Sequence, residues 1–421
     1  MPRVDVLRCH TSGPLDVFIP FLVFFTGRVV KNFTLRYTDS SYWTHHRSDH
    51  LYHPQLLLDT AERWSPSITS LCLTNISISK PELDALAALP NLSNLELDTL
   101  GPLYSPSSSP NAQFRPLSIP LKAFPKLISA AIESSHPEDR TPNLLAFTAY
   151  LSPSTPIRTL SLAGCSMSTA RRWQHVITSI ASHINRHTLR TLSLEDNRFF
   201  DSAGALKAEG SWGAGGYRFV DLTPLFVFRN LRAFHFYVAQ AKHIARRDLR
   251  GLVKAFPQLE ELSIAHHSGW QSDIELDGHD LLYILHSLPN LRYLSLSLRL
   301  GRDSLPRLYD KDDPYIFQTK PGLEIEVVHS DIPEDGMKDV LLFFASFLQP
   351  LPVIIPQNYY GKQELARWEE ALSRLKRIRA GEALWKVVNE EWDYYSSEDE
   401  YDSEYEDEDD GNEWDWQEEL V

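Results

Sequence analysis

The 421-residue sequence is poor in the features that would place it in several large functional classes. Its three cysteines, Cys9, Cys72 and Cys165, are odd in number and far apart, which argues against a disulfide framework and for a reducing compartment. No apolar run approaches the ~20 residues that span a bilayer. The best candidate for a secretory signal, residues 15–25, contains Asp16 and Pro20 and is followed by Thr26, Gly27 and Arg28, not by a small-x-small cleavage site. The expected location is therefore intracellular, cytoplasmic or nuclear, without a membrane. The glycosylation triplets at Asn32, Asn75 and Asn91 read as chance matches.

A basic excess is also missing. The net charge is −15, but 17 of the 56 acidic residues and none of the 41 Lys and Arg lie in 389–421. Residues 1–388 are left with 39 acidic against 41 basic side chains, close to neutral. No basic stripe dominates this body and the acidic end repels phosphate, so a nucleic-acid partner is not expected. Residues 398–410 are acidic at 10 of 13 positions and are expected to stay disordered by self-repulsion.

Signatures of catalysis and metal binding are weak. His45, His46, Asp49, His50 and His53 are metal-ligand types, but the stretch reads as a polar loop with nothing to fix ligand geometry. His183 and His187 are four apart on an expected helix without the Glu of a zinc protease. Gly213, Gly215 and Gly216 lack the Gly-Lys-Ser/Thr ending of a phosphate loop. No cofactor, no metal and no enzymatic activity are expected.

What the chain has in quantity is one repeated phrase. Residues 288–300 contain Leu291, Leu294 and Leu296 in the spacing L-x-x-L-x-L. The spacing recurs at Ile68-Leu71-Leu73, Leu92-Leu95-Leu97, Ile157-Leu160-Leu162, Leu189-Leu192-Leu194, Leu231-Phe234-Phe236 and Leu259-Leu262-Ile264. Weaker copies are Leu127-Ala130-Ile132 and Val30-Phe33-Leu35. From position 68 to position 291 the starts are 24 to 42 residues apart, close to 32 on average, which leaves room for a helix on each return path. Helical periodicity appears there, over 81–89, 169–184, 247–256 and 280–288. Pro90, Pro125, Pro257 and Pro289 each stand two residues before a strand-opening leucine and stop the preceding helix. Two inserts, 101–120 and 204–216, read as loops.

The architecture that follows is α/β: a solenoid of β-turn-α units, with a parallel sheet on the concave face and helices on the convex face. Its expected divisions are an N-terminal cap over 1–65, the repeats over 66–330, capping helices over 331–388 and the acidic tail over 389–421. The strand within 288–300 is expected to be the longest, because its alternation runs on through Leu298 and Leu300. Residues between the leucines point away from the core. They include Glu96, Asp98, Glu195, His235, Tyr237, Glu261 and Tyr293, the residues expected to contact a partner. His235, Tyr237 and Tyr293 are large anchors among small neighbours, which suits protein recognition.

Across roughly 30–330 these phrases resemble the leucine-rich repeat superfamily. The irregular spacing, proline-stopped helices and acidic end are similar to the repeat region of fungal F-box/leucine-rich repeat proteins. That resemblance implies a substrate-recognition horseshoe attached, through an F-box and a Skp-type adaptor, to a cullin ubiquitin ligase; no F-box is read in this chain. A solenoid with an acidic tail also resembles the acidic nuclear phosphoproteins, which implies basic partners such as histones.

Overall fold

The structure is a computed structural model. It describes residues 5–11, 30–37, 67–78, 80–100, 123–134, 142–164, 170–195, 220–237, 246–264, 276–306, 317–328, 330, 332–333, 335–357 and 362–390. The expected polar loop at 45–53, both inserts, Cys165 and residues 391–421 lie outside these.

Twelve strands form one parallel sheet in chain order. They are β1 (Val6–Thr11), β2 (Asn32–Tyr37), β3 (Ser70–Ile78), β4 (Asn94–Leu100), β5 (Ser129–Ser134), β6 (Thr159–Gly164), β7 (Thr191–Glu195), β8 (Ala233–Tyr237), β9 (Glu261–Ile264), β10 (Tyr293–Leu296), β12 (Glu324–Val328) and β14 (Val353–Gln357). The short strands β11 (Phe317–Gln318) and β13 (Leu348–Gln349) pair separately, also in parallel. Register is what makes the repeat visible. Leu71 lies beside Leu95, Leu160 beside Leu192, Leu262 beside Leu294 and Leu294 beside Ile325, so each leucine of one strand stacks on its counterpart in the next. A register slip of one residue would turn every one of these side chains to the other face.

The return paths carry α1 (Lys80–Ala87), α2 (Pro142–Tyr150), α3 (Ala170–His183), α4 (Arg246–Ala255), α5 (Gly278–Ser287), α6 (Met337–Phe347), α7 (Lys362–Arg379) and α8 (Leu384–Val388). Leu83 and Leu86 of α1, Trp173 and Ile177 of α3, Leu249 and Leu252 of α4, and Leu281 and Ile284 of α5 join the strand leucines in one buried core. The core therefore lies between the sheet and the helices, and the architecture is that of a leucine-rich repeat solenoid.

The punctuation between helix and strand has a common form. Leu127, Leu231, Leu259 and Leu291 each donate a backbone hydrogen bond to the carbonyl three residues back, on Phe124, Phe228, Phe256 and Leu288. At Leu127, Leu259 and Leu291 this closes a turn that proline opens, Pro itself having no N–H to donate, and at Leu231 the same turn forms with Arg229 in the proline's place. At the start of α5, Asp277 accepts from the backbone N–H groups of His279 and Asp280, and Asp280 reaches back to the N–H of Asp277. The reciprocal arrangement satisfies donors that a helix start leaves free. Arg246 of α4 spans both carboxylates, contacting Asp277 and lying 2.8 Å from Asp280, and so joins two consecutive repeats.

Within residues 1–65, β1 and β2 pair in parallel and continue the same sheet, which runs past residue 330 through β14. Other expectations need correction. The strand in 288–300 is only four residues long, and β3 with nine is longer. Leu298 and Leu300 are buried beyond the end of β10, where Arg299 bridges to Asp277 instead of extending the ladder. The helix α2 is missing from the sequence reading because PNLLAFTAY is apolar nearly throughout and gives no helical period. On α7, Trp368 and Leu375 are buried, whereas Leu365 is 42% exposed. Arg374 is 4% exposed and donates to the carbonyls of Val387 and Glu390.

Candidate functional site

Alternation along each strand leaves a second face, opposite the helices, lined by the residues between the leucines. The register orders these residues in rows running across the sheet. One row runs Ser129, Thr159, Thr191, Ala233, Glu261, Tyr293, Glu324. The next runs Glu96, Ala131, Ser161, Ser193, His235, Ser263, Ser295, Glu326. A third carries Glu133, Ala163, Glu195 and Tyr237.

Charge is distributed unevenly over this open face. At its first edge, β1 and β2 present the exposed side chains of Arg8, His10 and Arg36. From β4 to β12 the ionisable side chains that alternate outward in the rows above are Glu96, Glu133, Glu195, His235, Tyr237, Glu261, Tyr293, Glu324 and Glu326, with no Lys or Arg among them. The arginines sit one residue before the strands instead. Arg158, Arg190, Arg232 and Arg292 form a line along the rim, where the backbone N–H of each of the last three donates to the preceding strand's carbonyl. Arg232 there pairs with Glu260 at 3.2 Å. The open face is acidic because the cations are held on its rim.

Six of the seven expected partner-binding residues have described side chains, and all six lie on this face. Asp98 falls in β4, but its side chain lies outside the described residues. Glu96 is at the β4 end, away from the others. Glu195, His235, Tyr237, Glu261 and Tyr293 gather on β7 to β10. His235 Nε2 lies 3.4 Å from Glu261 Oε2. Burial nevertheless holds the imidazole below its ordinary pKa, outweighing the opposite pull of Glu261 and Glu195. The rings of His235 and Tyr237 stand nearly parallel, with centroids 6.1 Å apart. Tyr237 is held above its ordinary pKa by burial and by the negative field of Glu326, Glu195 and Glu261. Tyr293 is raised further, by burial and by its hydrogen bond to Glu326.

Glu326 is the residue missing from the sequence reading. It is 7% exposed, and Tyr293 donates its hydroxyl to Glu326 Oε2. The alternation in LEIEVV over 323–328 was its only signal, and no leucine phrase aligned that strand with the others. Beside it, Ser263 and Ser295 are wholly buried, and the hydroxyls of Ser263, Ser295 and Ser297 have no hydrogen-bond partner. Ser263 pairs in register with His235 yet makes no hydrogen bond to it, so the His235–Glu261 pair does not activate that hydroxyl. Among the described residues, no group of three or more His, Cys, Asp and Glu is placed to hold a metal ion, and no helix is long and apolar enough to cross a membrane.

No protein-family model matches the chain, and no curated protein matches it. Among solved structures, the leucine-rich repeat-containing protein LegL7 from Legionella pneumophila is similar at 12% identity, covering 90% of this chain and 98% of its own, with a TM-score of 0.36. An internalin (inlF) from Listeria monocytogenes is similar at 12% identity, covering 85% of this chain and 95% of its own, with a TM-score of 0.25. Likeness at this level carries no functional argument, and the fold rests on the chain's own register and repeats.

Proposed function

We propose that the chain is a non-catalytic, intracellular protein-recognition module that takes its partner on the open face of the sheet, and that the partner presents lysine or arginine there. One observation carries this reading: from β4 to β12 the face displays Glu96, Glu133, Glu195, Glu261, Glu324 and Glu326 with no Lys or Arg among the outward residues of its rows. Complementary charge of this kind steers association and rejects wrong partners more than it adds raw affinity. The aromatic side chains Tyr237 and Tyr293 supply contact area of the type that dominates protein interfaces. The acidic segment 389–421 adds charge of the same sign, which favours a basic partner such as a histone tail.

Service as the substrate receptor of a cullin ubiquitin ligase uses the same face and requires a Skp-type adaptor as well. Affinity capture from the host, washed at increasing salt, separates the two. Recovery of a Skp-type adaptor and a cullin supports the ligase role, and their repeated absence removes it. Recovery of basic proteins that elute with salt supports the basic-partner reading, which fails if the captured proteins are acidic or are unaffected when Glu96, Glu195 and Glu261 are changed to glutamine.

A further inference from the structure

Burying a carboxylate without a cation is costly, and the C-terminal end of the open face does so. Glu326 is 7% exposed, and its hydrogen-bond partner is a neutral phenol, Tyr293. Among the described residues, no Lys, Arg or His pairs with it. Register places Glu195 beside Tyr237 and Glu261 beside Tyr293, and Tyr293 meets Glu326, so the two phenols and three carboxylates share one stretch of the face. Strand alternation turns Ser263 and Ser295 toward the same place. Their hydroxyls are fully buried and face the phenols of Tyr237 and Tyr293, but neither makes a hydrogen bond of normal geometry, which leaves their capacity only partly met. All of these oxygens can accept a hydrogen bond. What would satisfy them together is a compact cation that donates several.

We infer that β8, β9, β10 and β12 form an anchoring pocket for one lysine-type ammonium of the partner, with Glu326 as its counter-ion and Tyr237 and Tyr293 as its walls. This rests on the basic-partner reading of the open face and narrows it to a single position. An ammonium carries three donors in a small volume, and an aliphatic stem suited to lie along the tyrosine rings. Of the remaining carboxylates, Glu324 lies beside Tyr293 in register, whereas Glu96 and Glu133 lie toward the far end of the sheet and guide the rest of a basic segment without enclosing it.

The test uses fluorescein-labelled octalysine, titrated by anisotropy into the full chain at about physiological ionic strength, where long-range surface attraction is largely screened. Glu326→Gln keeps the shape and the Tyr293 contact but removes the charge; binding is expected to weaken at least about tenfold, as for loss of a desolvated charge pair. A double change of Glu96→Gln and Glu133→Gln is expected to weaken binding only about twofold to threefold, in line with exposed charges. The acidic tail also attracts octalysine, so each variant is titrated a second time with 391–421 removed, and the comparison is made within that set. Tyr293→Phe, which keeps the ring, provides a second route should Glu326→Gln lower the melting temperature, and is expected to weaken binding by releasing Glu326. Unchanged binding with both Glu326→Gln and Tyr293→Phe, beside a clear loss with the Glu96/Glu133 pair, overturns the pocket and leaves the basic-partner face standing. No change in any variant overturns both.

Discussion

Tyr293 and Leu294 are neighbours on β10, and the pleat sends them to opposite sides of the sheet. Leu294 is fully buried among leucines of the adjoining strands, whereas Tyr293 is half-buried on the open face with its hydroxyl on Glu326. Substitutions should separate accordingly. Leu294→Ala removes core contacts and leaves a cavity, so it is expected to lower unfolding free energy by about 2–5 kcal/mol in a chemical-denaturation measurement. Tyr237→Ala, which leaves the Tyr293–Glu326 hydrogen bond in place, is expected to leave the melting temperature within a few degrees while weakening partner capture. A large loss of stability from that change would place Tyr237 in the core and refute the register. His235 adds a pH dependence. Its folded pKa lies below the ordinary 6.5, so the stability linked to its neutral form is complete above that value and is lost as the pH falls through the folded pKa. His235→Gln should flatten the melting-temperature profile in that window. At this scale the site was largely legible: alternation alone put Glu195, His235, Tyr237, Glu261 and Tyr293 on one face. Glu326 was not, because its strand lacks the leucine phrase, and its importance comes from a hydrogen bond across strands that no local pattern encodes.

The elements that close the solenoid are held by charge as well as by packing. Trp368 of α7 is buried and donates its indole N–H to the carbonyl of Ser330 at 2.6 Å. Arg377 grips Glu382 and Glu390 with two hydrogen bonds each, at 2.6 to 2.7 Å. Those contacts depress Glu382 to a pKa of about 2 and hold Arg377 more firmly protonated. For a carboxylate with a lowered folded pKa, the linked stability is present above the unfolded value of about 4.5 and disappears as pH falls toward 2. Arg377→Gln is expected to speed amide exchange in residues 380–390 at neutral pH and leave β3 to β8 unchanged; equal exchange in 380–390 would show that packing alone fixes α8. Most elements were readable because proline, leucine spacing and helical period agree on their limits. The exceptions share a physical cause. The helix α2 is too uniformly apolar to show a period, and β1 at Val6–Thr11 is a short alternating strand without the leucine phrase. Inclusion of β1 and β14 in the sheet is decided by pairing with a neighbour, which is tertiary information.

Over the whole molecule, charge is segregated more sharply than the composition suggests. A nearly neutral body places carboxylates on the open face, arginines on the adjoining rim and 17 further acidic residues in 389–421. Because Arg377 fastens the end of the solenoid through Glu382 and Glu390, both outside 391–421, removal of 391–421 is expected to leave the melting temperature of the solenoid unchanged. The same deletion should reduce the salt sensitivity of partner binding, since it removes charge that acts through solvent. The central claim, that the open face and not the helical face meets the partner, is tested most directly by quantitative capture with two variants, each reversing three charges. One changes Glu96, Glu195 and Glu261 to lysine; the other reverses three exposed charges on the helices, Lys254, Arg247 and Glu369, to the opposite sign. Loss of the captured basic proteins with the first variant and their retention with the second is the predicted result, and the reverse pattern would contradict it.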